Sequence, residues 1–284
     1  MFNYKKYLLS KKISKNFIVQ EFQYLKTSNN IAYKTYNILE KRITNLKSAA
    51  FLKAMVLGDT SFIENDTYEI YKINGIVHLF AISGMHVVIL TSIILGLLNK
   101  LSKFKNLNYL IIYIILIFYM LIINSASIIR SVLMFILCSL NKLFKLKFSS
   151  TNILYYIFVL NIIINPYIIY NMGFQLSYLV SFILIISNKK IAKCKNYISE
   201  IFMTSLISFL GGLPIIINSN FEVNLLTPLI NLIIVPAVSV ILFPLAILTT
   251  LAPVFDNLLT FLLTGFDRLN LFFTNISIII NIPR

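Results

Sequence analysis

Ionised side chains are scarce in this 284-residue chain: Asp, Glu, Lys and Arg make up 12% of it, against 58% hydrophobic residues. A soluble domain of this length carries about twice that charge. Acidic residues are rarest, ten against 25 basic ones, for a formal net charge of +15. Only four of the basic residues are Arg, in a chain rich in Ile, Asn, Lys, Tyr and Phe. The excess therefore reads equally as compositional drift and as the mark of an anionic partner. The two cysteines, Cys138 and Cys194, supply no disulfide framework and sit in no metal-ligand spacing. No secretory signal is visible, because the lysines of residues 1–20 have no apolar core behind them. Histidine is limited to His78 and His86.

What the chain does have is long uncharged apolar runs, recurring after residue 75. They predict a polytopic membrane protein. Only helices or a closed barrel span a bilayer, and continuous rather than alternating runs point to helices. The expected fold is an all-α helical bundle with seven or eight spans, some of them broken. Seven fall at about 75–98, 107–123, 125–140, 151–164, 172–186, 197–217 and 228–251. The stretch 151–164 is short and is expected to extend to Tyr167. An eighth, about 254–280, holds Asp256, Asp267 and Arg268 and reads as a span or an interfacial helix.

Ahead of the spans, residues 1–50 form a basic polar tail and 51–74 an amphipathic, acidic connector, with the membrane domain at 75–284. Residues 43–57 are expected to form a surface-lying amphipathic helix from which Lys47 and Lys53 snorkel. The connector's Asp59, Glu64, Asp66 and Glu69 read as a solvated loop rather than a cation site. Asp66 followed by Glu69 fits a capping box for the next helix.

Loop charge sets orientation. Lys100, Lys103 and Lys105 follow the first span, Lys142, Lys145 and Lys147 the third, and Lys189, Lys190, Lys193 and Lys195 the fifth. Loops 124–125, 165–171 and 218–227 hold no Lys or Arg. The basic loops should face the cytoplasm, which puts the start of the first span outside. Eleven Lys and Arg before residue 54 conflict with that placement. A missing upstream anchor, a surface-lying tail or a re-entrant first segment would each resolve it.

Within the spans, Ser127, Ser131, Met134 and Cys138 share one helical face with Arg130 beside it, and Ser205, Ser208 and Gly212 share another. Such stripes are packing surfaces or pore linings. Ser83-Gly84 and Gly211-Gly212 with Pro214 mark two spans as breakable, and interrupted spans often hold permeation sites.

The densest polar cluster is Gly75-Ile76-Val77-His78-Leu79-Phe80-Ala81-Ile82-Ser83-Gly84-Met85-His86. Polar groups at the mouth of an apolar run are costly unless paired or solvated. On a straight helix the two histidines stand ~12 Å apart. They cannot grip one ion together, so no metal site is expected. Ser83 and His86, at i and i+3, are placed as nucleophile and base, yet no carboxylate in the span orients the imidazole. A polar constriction hinged at Ser83-Gly84 is a further reading, with imidazole donors for a passing anion; a packing motif at Gly84 is another. Arg130 is the only Arg in any of the seven runs, about five residues or ~8 Å in from the outer end. It either snorkels outward or meets a phosphate or carboxylate.

In order along the chain, these residues resemble the ComEC family of competence proteins. Leu57-Gly58-Asp59-Thr60-Ser61 is similar to its opening motif, and Asn74 through His86 to its signature segment. Ile128 through Met134 is similar to its Arg-containing span. Asn165-Pro166 with Gly173-Phe174-Gln175-Leu176-Ser177 matches a later landmark, and Asn231, Pro236 and Pro244 fit the closing segment. The likeness covers about residues 50–250. It implies passage of single-stranded DNA across the cytoplasmic membrane during transformation, without catalysis or cofactor in this chain. Members often add an extracellular barrel domain and a metallo-β-lactamase-like nuclease domain. Residues 1–50 leave no room for the first, and two histidines are too few for the second, so the expectation is a stand-alone channel core or a degenerate copy. A separate nuclease, DNA receptor or motor would then be its partners, with oligomeric state open. The strand's phosphates need a wet, cationic path. His78, Ser83, Gly84, His86 and Arg130 are the residues expected along it, with Gln175 added by the resemblance, and the Lys-rich loops would receive the emerging strand. A small-anion or metabolite transporter, an intramembrane hydrolase using Ser83 and His86, and an inactive relic are the alternatives.

Overall fold

The structure, a computed structural model, describes residues 8–10, 13, 30–80, 83–123, 125–220 and 222–281. Most of the amino-terminal tail, and Ala81 and Ile82 of the histidine segment, lie outside these. Helix α1 spans Ile31–Thr44 and α2 Ala49–Leu52, the latter continuing as a π-helical turn over Lys53–Leu57. Then come α3 (Asn65–Ile73), α4 (Val77–Phe80), α5 (Gly84–Leu101), α6 (Lys105–Ile122) and α7 (Ala126–Leu143). They are followed by α8 (Ser150–Ile164), α9 (Met172–Ile191) and α10 (Tyr197–Asn220). A second π-helical turn, Ala237–Leu242, joins α11 (Thr227–Pro236) to α12 (Phe243–Leu251), and α13 covers Asp256–Asn275. The strands β1 (Glu222–Asn224) and β2 (Ile279–Asn281) pair antiparallel.

Among the described residues, six helices are long and apolar enough to cross a membrane: α5, α6, α7, α9, α10 and the composite Thr227–Leu251. The chain is an all-α polytopic membrane bundle. Side-chain caps set several helix starts. Ser125 accepts from Ile128 N, Ser149 from Asn152 N and Asn171 from Phe174 N, each taking up an amide that the first turn leaves unpaired. Helix α8 has fifteen residues and stops at Ile164, short of the expected Tyr167. The cause is Pro166, which drives Asn165 out of helical geometry to φ −146° and ψ 91°.

The span expected at 75–98 is broken, as Ser83-Gly84 suggested: α4 ends at Phe80, and Ser83 is extended before α5 begins. The break expected at Gly211-Gly212 and Pro214 does not occur, and α10 runs through all three. Its glycines serve packing instead. A Cβ on Gly211 would stand 2.6 Å from Ile183 Cδ1 of α9.

The amino-terminal elements also differ from expectation. Residues 43–57 do not lie on a surface as one helix. Helix α1 ends at Thr44, while Phe51, Leu52, Ala54, Met55 and Leu57 are buried in the largest core, with α11, α12 and α13. Lys53 does not snorkel. It is 5% exposed, 3.8 Å from a Glu40 carboxylate oxygen and 3.5 Å over the Phe62 ring. Nor is there a capping box at Asp66. Helix α3 starts after Glu64 with no side-chain cap, and Glu69 pairs with Lys72 at 3.3 Å.

Phe80 anchors α4 in the same core. It stacks on Tyr71 at 4.3 Å between ring centroids and meets Phe51 and Phe266 edge-on. That seat fixes where the broken span stops and where α5 restarts.

Candidate functional site

Ser83 and His86 tie off the start of α5. The Ser83 amide donates to His86 Nδ1 at 3.0 Å, and the Ser83 hydroxyl lies 3.1 Å from the same nitrogen. A nitrogen that accepts carries no proton, so in a neutral ring the proton sits on Nε2. His86 is 1% exposed, its ring is edge-on to Phe243 at 4.3 Å, and Nε2 has no hydrogen-bond partner among the described residues. His78 stands on α4, ahead of the break, near enough to His86 for the two imidazoles to interact electrostatically. It is exposed, and its Nδ1 lies 2.9 Å from the Gly75 carbonyl oxygen.

Across from the start of α5 stands Arg130 of α7. A Cβ on Gly84 would be 3.0 Å from Ser131 Oγ and 3.3 Å from Arg130 Nη2. A side chain there would make these neighbours give by a few tenths of an ångström, so the glycine lets the two helices meet closely. Arg130 Nε donates to Ser177 Oγ of α9 at 2.7 Å, and Nη2 donates to Ser131 Oγ at 3.2 Å. The Ser177 hydroxyl donates in turn to Ser127 Oγ at 3.3 Å, and Ser131 back to the Ser127 carbonyl at 2.7 Å. Arg130 thus turns sideways into the bundle and does not reach for the outer surface. Among the described residues no carboxylate lies within salt-bridge distance of it.

The first turn of α5 presents amides that the helix itself does not pair, and it carries the positive end of the helix dipole. Arg130 stands beside that positive end, so two positive groups meet where α5 begins. An interrupted helix that ends inside a membrane protein, facing a cation, suits an anionic group.

Of the expected path residues, Ser83, Gly84, His86 and Arg130 come together here. His78 lies within electrostatic reach of His86 but shares no hydrogen bond with the cluster among the described residues, and Gln175 does not join it. Gln175 donates to the Ile169 carbonyl at 2.6 Å and lines a separate, largely apolar cavity of about 440 Å³ with Thr151, Phe158, Tyr178 and Ile215. It stands two residues from Ser177, about 200° around the helix, so it faces away from Arg130. Ser177 is the contact that reasoning on single spans passed over. Its signal was present in the Gln175-Leu176-Ser177 landmark, which names the right turn of α9 but favours the longer amide. The stripe on α7 splits: Ser127 and Ser131 serve Arg130, while Met134 and Cys138 pack against the α8–α9 core.

Residues 55–281 match the family described as "Competence protein". The chain belongs to the competence protein family. It is 28% identical over 251 residues to ComE operon protein 3 of Bacillus subtilis, covering 86% of this chain and 32% of that protein. It is 25% identical over 235 residues to the MG316 homolog of Mycoplasma pneumoniae, covering 82% of this chain and 60% of that one. With the MG316 protein of Mycoplasma genitalium it shares 29% over 187 residues, 66% of this chain and 47% of the other. This competence-family chain therefore spans between a third and three-fifths of the length of the curated relatives it matches. No solved structure matches it. Both halves of the site, Ser83 to His86 and Arg130 to Ser177, fall within the matched region.

Proposed function

We propose that this chain forms the membrane conduit through which a single strand of DNA crosses during uptake, and that the strand's phosphates meet Arg130 and the first turn of α5. The observation that carries this reading is a guanidinium inside a membrane span with hydroxyl partners and, among the described residues, no carboxylate within salt-bridge distance. An intramembrane charge is expensive and needs a partner or water. A migrating phosphate supplies both charge and geometry, since guanidinium forks match phosphate oxygens. Serine hydroxyls suit transit better than a fixed carboxylate, because they hold the arginine without neutralising it. The path runs beside Ser83, Gly84, His86 and Arg130. His78, within electrostatic reach of His86 across the break before α5, flanks the path, while Gln175, which faces away from Arg130, stands outside it. We further propose that the chain carries no catalysis of its own, sits in the cytoplasmic membrane with its lysine loops inward, and works with a separate motor or nuclease.

A hydrolytic reading has one observation in its favour, the 3.1 Å approach of Ser83 Oγ to His86 Nδ1. It fails on the acceptor count. The lone pair of Nδ1 is taken by the Ser83 amide, and among the described residues Nε2 has no group to orient the ring.

The test is uptake of end-labelled DNA into cells deleted for this chain and resupplied with the wild-type chain, Arg130→Ala or Arg130→Lys, at matched membrane levels. Uptake should depend on the chain, fall at least tenfold with Arg130→Ala and recover partly with Arg130→Lys. Uptake that is unchanged by deletion would remove the proposal.

A further inference from the structure

We infer that the chain from Ser48 to Asn74, paired with α13, crosses the thickness of the bilayer as a broken and partly hydrophilic passage that none of the apolar runs reveals. The two ends of the bundle are marked by the composite span Thr227–Leu251, 25 residues or about 37 Å long. At its Leu251 end, Arg42 Nη2 donates to the Leu251 carbonyl, and Asp256 accepts from Lys47 N, Ser48 N and Ser48 Oγ at 2.8, 3.2 and 2.6 Å. At its Thr227 end, a Cβ on Gly75 would stand 2.7 Å from Thr227 Cγ2, and Asn224 Nδ2 donates to the Ile73 carbonyl at 3.1 Å. Asn74 Nδ2 donates to the carbonyl oxygen of Asn270, fourteen residues or about 21 Å along α13 from Asp256, at 2.9 Å. Residues 48 and 74 are therefore fastened to opposite ends, and the chain passes between them through α2, its π-helical turn and α3.

Helix α13, of twenty residues, is long enough to cross at about 30 Å. It carries a stripe of exposed apolar side chains, Leu258, Phe261, Leu269 and Phe272, suited to lipid. Its polar groups turn to the passage instead: Asp267 accepts from Tyr71 OH at 2.5 Å, and Asn270 is fully buried against Asn74. Arg268 is exposed within two turns of the far end, inside snorkelling reach. On the passage itself Glu64, Asp66 and Glu69 are exposed. Charges at membrane depth face water or a partner and not lipid, so this flank borders water. The crossing also meets the demand that loop charge makes. Helix α10 starts just after Lys193 and Lys195, antiparallel to the composite span, so Leu251, Arg42 and Lys47 share the lysine-loop end while α4 starts at the other.

The test is side-specific labelling with a membrane-impermeant maleimide, in a chain freed of thiols by Cys138→Ser and Cys194→Ser. Lys193→Cys and Glu222→Cys mark the two ends. Asn45→Cys, with Thr44→Cys as a second site, should label only from the side that labels Lys193→Cys, and Asp66→Cys should label from the Glu222→Cys side. Labelling of both Asn45→Cys and Thr44→Cys from the Glu222→Cys side would overturn the crossing. Failure of Asp66→Cys to label from either side in a membrane-inserted chain would overturn its aqueous flank. Neither outcome bears on whether DNA passes at Arg130.

Discussion

Gly84 and Arg130 occupy adjoining space: a single methyl added to the glycine would stand 3.3 Å from Nη2 of the guanidinium. Two helices are held together at a point where one begins and the other carries its only charge near that end. Gly84→Ala should displace the guanidinium by a few tenths of an ångström and lower DNA uptake by a few-fold. Gly84→Leu overpacks the junction, at about 1–3 kcal/mol, and should abolish uptake while the chain still inserts. Uptake assays at matched membrane levels check both, and equal uptake by wild type and Gly84→Leu would separate this contact from transport.

Ser177 and Gln175 offer a discrimination within one turn of α9. Ser177→Ala removes the acceptor of Arg130 Nε, a charge-assisted bond of about 1.5–3 kcal/mol. If that energy positions the arginine for the strand, uptake should fall about tenfold or more. Gln175→Ala, on the far side of the helix, should leave uptake within about twofold. The same labelled-DNA assay reads both variants.

Gly75 has φ +73°, and its missing Cβ would lie 2.7 Å from Thr227 Cγ2. Gly75→Ala should destabilise through both strain and overlap, by about 2–5 kcal/mol. Adding Thr227→Ala removes the overlap and should return all but about 1–2 kcal/mol of left-handed strain. Thermal unfolding in detergent, followed by far-ultraviolet circular dichroism, measures both variants. Equal melting temperatures for the single and double variants would contradict the contact.

Asp256 gathers three donors from Lys47 and Ser48. Each buried donor left without an acceptor costs about 1–3 kcal/mol, so Asp256→Ala should destabilise by about 3 kcal/mol. Asp256→Asn keeps one acceptor and should fall between. The dichroism melt distinguishes the three proteins. Proteolysis should also cut near residues 45–48 sooner in Asp256→Ala than in wild type.

The bundle was legible because span-length apolar runs have few alternatives in a bilayer. The break before α5 was legible too, since an extended serine followed by glycine has a local cause. Other features depend on partners distant in sequence. Gly211, Gly212 and Pro214 carry the same local signal as Ser83-Gly84, yet α10 stays whole because Ile183, Leu176 and Val180 pack against its glycines. The burial of Lys53 needed Glu40 and Phe62, and the polarity of residues 31–57 concealed a segment whose apolar side chains fill the main core. For the site, type and position of Arg130, Ser83 and His86 could be read directly. The choice of Ser177 over Gln175 could not, because it rests on the rotation of α9 against α7.

The most direct test of the conduit is photo-crosslinking. A photoreactive residue in place of Ser127, one turn from Arg130, and another in place of Ile163, 72% exposed on the outer surface of α8, are compared while a labelled strand is stalled during uptake. The account predicts that Ser127 crosslinks to the strand and Ile163 does not. No crosslink from Ser127 in cells that are taking up DNA, or equal crosslinks from both positions, would contradict it.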